Sequence, residues 1–214
     1  MLKDLRRLIA AVLVAAVFWF VMFSPWTHGR LNFWLEMSCA AVILSTLALA
    51  FTPDRKALLR VEKPLLQLAA GVGIAFALWG IFWVGDKLSS LLFDFARPEV
   101  DAVYSMKTGL HPSLIAVLLL VLIGPAEELF WRGYVQRTLT RILPRKRAAD
   151  LAFVLTAAVY ALVHIWSFNF MLIMAALVAG AVWGCLYRLN PKALPALIIS
   201  HALWDALVFV ILPI

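Results

Sequence analysis

The chain has 214 residues, 64% of them hydrophobic and only 14% charged, with a mean hydropathy of +0.95 and a formal net charge of +7. Soluble domains carry about 25% charged residues, so a soluble fold is excluded, and basic residues that gather at the ends of apolar runs mark loop topology rather than a nucleic-acid surface. Cys39 and Cys185 lie inside apolar runs without CxxC spacing, which excludes a disulfide framework and a thiolate metal site.

In chain order, Lys3, Arg6 and Arg7 precede an apolar run, Leu8 to Phe23, with no small-x-small cleavage pattern after it, so it reads as a retained first span. A second span, Leu31 to Phe51, ends at Thr52-Pro53-Asp54. The loop to Pro64, rich in Arg and Lys, is expected to be cytoplasmic. Leu65 to Val84 is a third span, and Asp86 to Ala96, with Leu88, Leu91, Leu92 and Phe95 at helical spacing, reads as an interfacial amphipathic helix. Arg97 to His111 is expected to be an extracytoplasmic connection. Pro112 to Ile123 is too short to cross alone and continues to Leu143, with Pro125 kinking or restarting the helix. The cluster Arg145, Lys146 and Arg147 is the strongest cytoplasmic marker, and three spans follow it: Ala149 to Trp166, Phe168 to Tyr187 and Ala193 to Leu212.

The expected fold is therefore an all-α polytopic membrane helical bundle of about seven crossings, seven or eight helices with the interfacial one, forming a single transmembrane domain over 1–214. The N-terminus faces the cytoplasm and the C-terminus lies outside. Trp26, Trp34, Trp79, Trp83 and Trp166 fall at the expected outer interface, as an aromatic belt would place them.

Within this frame, Glu127, Glu128 and Arg132 are out of place, because a charge near the middle of a bilayer helix costs roughly 2.5 to 3.5 kcal/mol. At 100° per residue the two glutamates cannot share a face, whereas Glu128 and Arg132 are four apart with the acid first. The expected division pairs Glu128 with Arg132 and leaves Glu127 unpaired. Two further pairs share helix faces, Tyr160 with His164 and His201 with Asp205. A glutamate, two histidines and an aspartate converging in a bundle can activate a water, relay protons or bind a metal. Rise counting puts Glu127 about 22 Å from the outer face and His164 about 22 Å from the cytoplasm, levels that disagree by roughly 10 Å.

The ordered motifs Glu127-Glu128-x-x-x-Arg132-Gly133, Tyr160-x-x-x-His164 and His201-x-x-x-Asp205 resemble those of the CPBP intramembrane proteases, which include the Ras-converting CAAX endopeptidases and bacterial bacteriocin-processing and self-immunity proteins. The resemblance covers roughly residues 112 to 212. Tyr160 stands where the family usually has Phe, and Asp205 where it usually has Asn. The resemblance implies that Glu127 and His164 activate a water, that His201 and residue 205 stabilise the oxyanion, and that Glu128 and Arg132, with Tyr160, support the site. An ionised Asp205 has no proton to donate, so the alternative is that it orients His201. The family also leaves open either no cofactor or a zinc ion on Glu127, His164 and His201.

The resulting expectation is an intramembrane endopeptidase of a bacterial-type inner membrane. Its partners would be the lipid bilayer and a membrane-anchored peptide or protein substrate cut near the cytoplasmic half, with no nucleic acid. The alternative is a proton-coupled transporter or channel with a Glu/His relay.

Overall fold

The computed structural model describes residues 1–214, which form nine helices and no strand. Seven are long and apolar enough to cross a membrane: α1 (Leu2–Phe23), α2 (Phe33–Phe51), α4 (Pro64–Leu92), α6 (Pro112–Ile142), α7 (Ala148–Ser167), α8 (Phe170–Leu189) and α9 (Pro191–Ile211). The short α3 (Arg55–Leu58) and α5 (Ala96–Ser105) lie in connections. The chain is a polytopic integral membrane protein, as the apolar runs predict.

The region after Val84 departs from the sequence reading. Asp86 does not open an interfacial helix; α4 runs on without a break to Leu92, over 29 residues. No residue of Gly85-Asp86-Lys87 stops it, and Asp86, only 5% exposed, is held by Lys87 Nζ and Arg97 Nη1, each at 3.2 Å. The connection beginning at Arg97 is itself helical, as α5.

α5 is tied down on several sides. Glu99 accepts from the Met171 backbone N–H at 2.8 Å, capping the start of α8, and its carbonyl accepts from Asn169 Nδ2 at 2.7 Å. Tyr104, whose phenol is pushed above its usual range by burial, donates to the Val208 carbonyl at 3.2 Å. Trp34 reaches the same connection, donating to the Met106 carbonyl at 3.1 Å. It is 2% exposed and packs inside the bundle, whereas Trp26, Trp83 and Trp166 are exposed.

α6 is the central helix, packed against α2, α7 and α9, while α4 pairs with α9, α7 with α8 and α1 with α2. Pro125 neither breaks nor ends it. Wide π-helical turns at Leu119–Ile123 and Leu129–Gln136 flank the segment Gly124–Glu128, and such turns absorb the backbone bond that proline cannot make. Gly124 lets α9 approach closely, since a Cβ there would stand 2.6 Å from Cα of Ala202. That contact brings the acidic pair alongside His201.

Candidate active site

A cavity of about 450 Å³ lies between α1, α2, α4, α5, α6, α7, α8 and α9, and 26 of its 33 lining residues are hydrophobic. Glu127, Tyr160, His164, His201 and Asp205 all contribute to its wall. Its lining comes from the ends of α1, α4, α7 and α9 and the starts of α2, α6 and α8, with α5 across them. It therefore occupies the half of the bundle away from the basic loops at 52–63 and 143–147. This corrects the expectation of a site in the half bearing those loops; rise counting missed it because α6, at 31 residues or about 46 Å, is longer than a bilayer core.

Glu127 is 8% exposed, and its Oε2 accepts from the Tyr160 hydroxyl at 2.9 Å. The extra hydroxyl of this chain's second motif thus meets the glutamate directly. His164 stands one turn further along α7 and is bonded elsewhere: its Nδ1 to the Tyr160 carbonyl at 2.8 Å, and its Nε2 to the indole N–H of Trp19 at 2.9 Å. A carbonyl only accepts and an indole only donates, so the proton sits on Nδ1 and the lone pair of Nε2 is taken by Trp19. The two-level mismatch in the rise count has its counterpart here, because Tyr160, not His164, reaches the glutamate from α7.

Glu128 and Arg132 are both fully buried and pair through Oε1 and Nη1 at 2.6 Å. The same Oε1 meets His201 Nδ1 at 2.8 Å, and Arg132 Nη2 donates to the Gly180 carbonyl at 3.1 Å. Arg132 also lies over the rings of Tyr160 and Trp183, at 5.1 and 5.5 Å from their centroids. Asp205 Oδ2 stands 3.5 Å from His201 Nε2, at the outer edge of hydrogen-bond range. The carboxylate that holds His201 is therefore that of Glu128. Pattern reading named Glu128 only as the arginine's partner, since no spacing rule links residues 128 and 201.

The residues named for zinc do not assemble into a ligand set. No three His, Cys, Asp or Glu side chains stand where they could hold a metal ion, and both nitrogens of His164 are already engaged. As placed, these side chains do not fit a resident metal. Two tryptophans that pattern reading did not single out, Trp19 and Trp183, touch the two motif histidines. An aromatic residue inside an apolar run looks the same whether it packs or positions, so the sequence carries no signal for either.

Residues 109–207 match the family model described as type II CAAX prenyl endopeptidase Rce1-like, while no curated protein and no solved structure matches the chain. The matched stretch contains Glu127, Glu128, Arg132, Tyr160, His164, His201 and Asp205, and covers most of the helical frame from α6 to α9. Over that stretch the chain is similar to the CAAX-type endopeptidases, and the match together with its seven apolar helices points to a membrane-embedded protease.

Proposed function

We propose that the protein hydrolyses a peptide bond of a membrane-anchored peptide or protein, with Glu127 as the base that activates the attacking water. The observation that carries the reading is the convergence of Glu127, His201 and Asp205 on one largely apolar cavity inside the membrane-spanning bundle. Tyr160 holds one oxygen of Glu127, leaving Oε1 to take a proton from water as the water attacks the carbonyl carbon. The same carboxyl returns that proton to the leaving amine. His201 donates from Nδ1 to Glu128 and turns Nε2 toward Asp205; in its doubly protonated form it would donate from Nε2 to the carbonyl oxygen as that oxygen gathers negative charge. His164 joins in holding the water only when Trp19 releases its lone pair. The largely apolar walls lower the local dielectric, which strengthens each of these interactions.

The test is turnover of a membrane-anchored peptide by the purified protein in detergent, with ion flux measured in parallel in liposomes. Cleavage without flux is the expected result. Flux without cleavage would replace the protease reading with that of a proton-coupled transporter.

The third motif supplies a sharper prediction. Because Glu128 rather than Asp205 holds His201 at hydrogen-bond distance, residue 205 is assigned to the oxyanion side, where an amide is a permanent donor. Asp205→Asn is expected to hold or raise turnover across pH 6 to 9. A fall near 10⁴, the loss that a wrong histidine tautomer produces in a Ser-His-Asp triad, would return the orienting role to Asp205.

The charge pattern also supports one sidedness for the reaction. With the basic loops inside, the N-terminus is cytoplasmic, the C-terminus lies outside and the cavity falls in the outer half of a bacterial-type inner membrane. A reporter fused after Lys146 should face the cytoplasm and one after Tyr104 the exterior; reversal of both would move the reaction to the inner leaflet.

A further inference from the structure

One more side chain bears on His201, and it belongs to none of the motifs. Trp183 of α8 is fully buried, and its ring lies flat against the imidazole, with centroids 3.9 Å apart and planes inclined by only 16°. Its indole N–H donates to Ser200 Oγ at 3.1 Å. Ser200 immediately precedes His201, so the plate is fastened to the same turn of α9 as the ring it supports. The edge of Trp204 closes the arrangement at 5.6 Å.

A ring held only at Nδ1 can still rock about the line to its acceptor. A flat stack removes that freedom, because tilting the imidazole would drive it into the indole face. Together the Glu128 bond and the Trp183 face leave Nε2 a single direction, toward Asp205 and the cavity. α8 has no acidic residue or histidine of its own. Besides the apolar residues with which its first half lines the cavity, it touches the charged cluster through this ring and through the Gly180 carbonyl that receives Arg132.

We infer that Trp183 is a positioning residue for catalysis, the platform that sets the plane of His201 so that Nε2 meets the carbonyl oxygen of the substrate. The inference rests on the reading of His201 as the group facing the scissile carbonyl. Loss of a group that aims a functional histidine commonly costs about 10- to 100-fold, and misplacement by about 1 Å costs a similar amount.

The experiment compares Trp183→Leu, Trp183→Phe and Ser200→Ala by kcat, KM and melting temperature. Trp183→Leu should lower kcat by about 10- to 100-fold with KM within about twofold, the pattern of a lost transition-state interaction. Trp183→Phe keeps a flat face and should lose clearly less. Ser200→Ala, which frees the plate but leaves the core filled, should lower kcat in the same direction, and it reads the effect if Trp183→Leu fails to accumulate. Each variant is then measured in a His201→Gln background, in which the residual turnover should no longer respond to residue 183. Equal losses for Phe and Leu that follow melting temperature, a change confined to KM, or a loss that persists without His201 would each overturn the inference. A fully active His201→Gln protein would instead overturn the reading of His201 itself.

Discussion

Glu127→Gln is expected to lower peptide turnover by at least about 10²-fold, the usual consequence of removing a general base, while the protein still inserts, purifies and melts as before. The amide has the shape of the carboxyl and can still accept from the Tyr160 hydroxyl, which is bonded to Oε2 at 2.9 Å, so the local packing has little reason to change. What it lacks is the ability to take a proton from water. The loss should appear in kcat, since the proposed base would act on the reacting water and not on substrate binding. Steady-state turnover of a membrane-anchored peptide, with melting temperature as the control for folding, checks the prediction. Retention of more than about a tenth of the rate would remove Glu127 as the base.

Breaking the Glu128 and Arg132 pair should damage the fold as well as the rate. Both side chains are fully buried, and they meet at 2.6 Å. Glu128→Gln leaves the guanidinium without a countercharge, and Arg132→Met leaves the carboxylate with only His201. Leaving one member of a buried pair unpartnered costs about 3 to 5 kcal/mol, a large share of a typical stability. The double variant Glu128→Gln with Arg132→Met has no buried full charge at either position, so it should be less destabilised than the sum of the singles by a clear margin. Equilibrium unfolding of all four proteins in detergent measures that margin. Simple additivity would mean that the 2.6 Å contact contributes nothing to stability. The rate should not recover with the fold, because the double variant has neither the carboxylate that holds His201 Nδ1 nor the guanidinium that braces it.

The seven spans were legible because the bilayer demands about 20 apolar residues for each crossing, and composition alone exposes such runs. Spans read from hydropathy at Leu31 to Phe51 and Ala149 to Trp166 correspond to α2 at Phe33–Phe51 and α7 at Ala148–Ser167. The end of α4 was not legible. Within its continuation Asp86 is paired with Arg97, which folds back from α5, an interaction across a turn that no local pattern encodes.

The same division runs through the site. Sequence by itself determined that charge was being kept inside a membrane at Glu127, Glu128, Arg132, His201 and Asp205, because the cost of such groups makes them stand out against an apolar background. Helical periodicity also determined that Glu128 could reach Arg132, since residues four apart share a face. Tertiary structure decided which partner each group took. Tyr160 rather than His164 meets Glu127, Glu128 rather than Asp205 holds His201, and Trp19 and Trp183 take up the two histidines. These pairings join residues on different helices, among them positions 19 and 164. They are set by the rotation and depth at which helices pack, quantities fixed by close approaches such as Gly124 against Ala202. Hydropathy reports how far a helix extends through the membrane, but not which way its faces turn once it is surrounded by others.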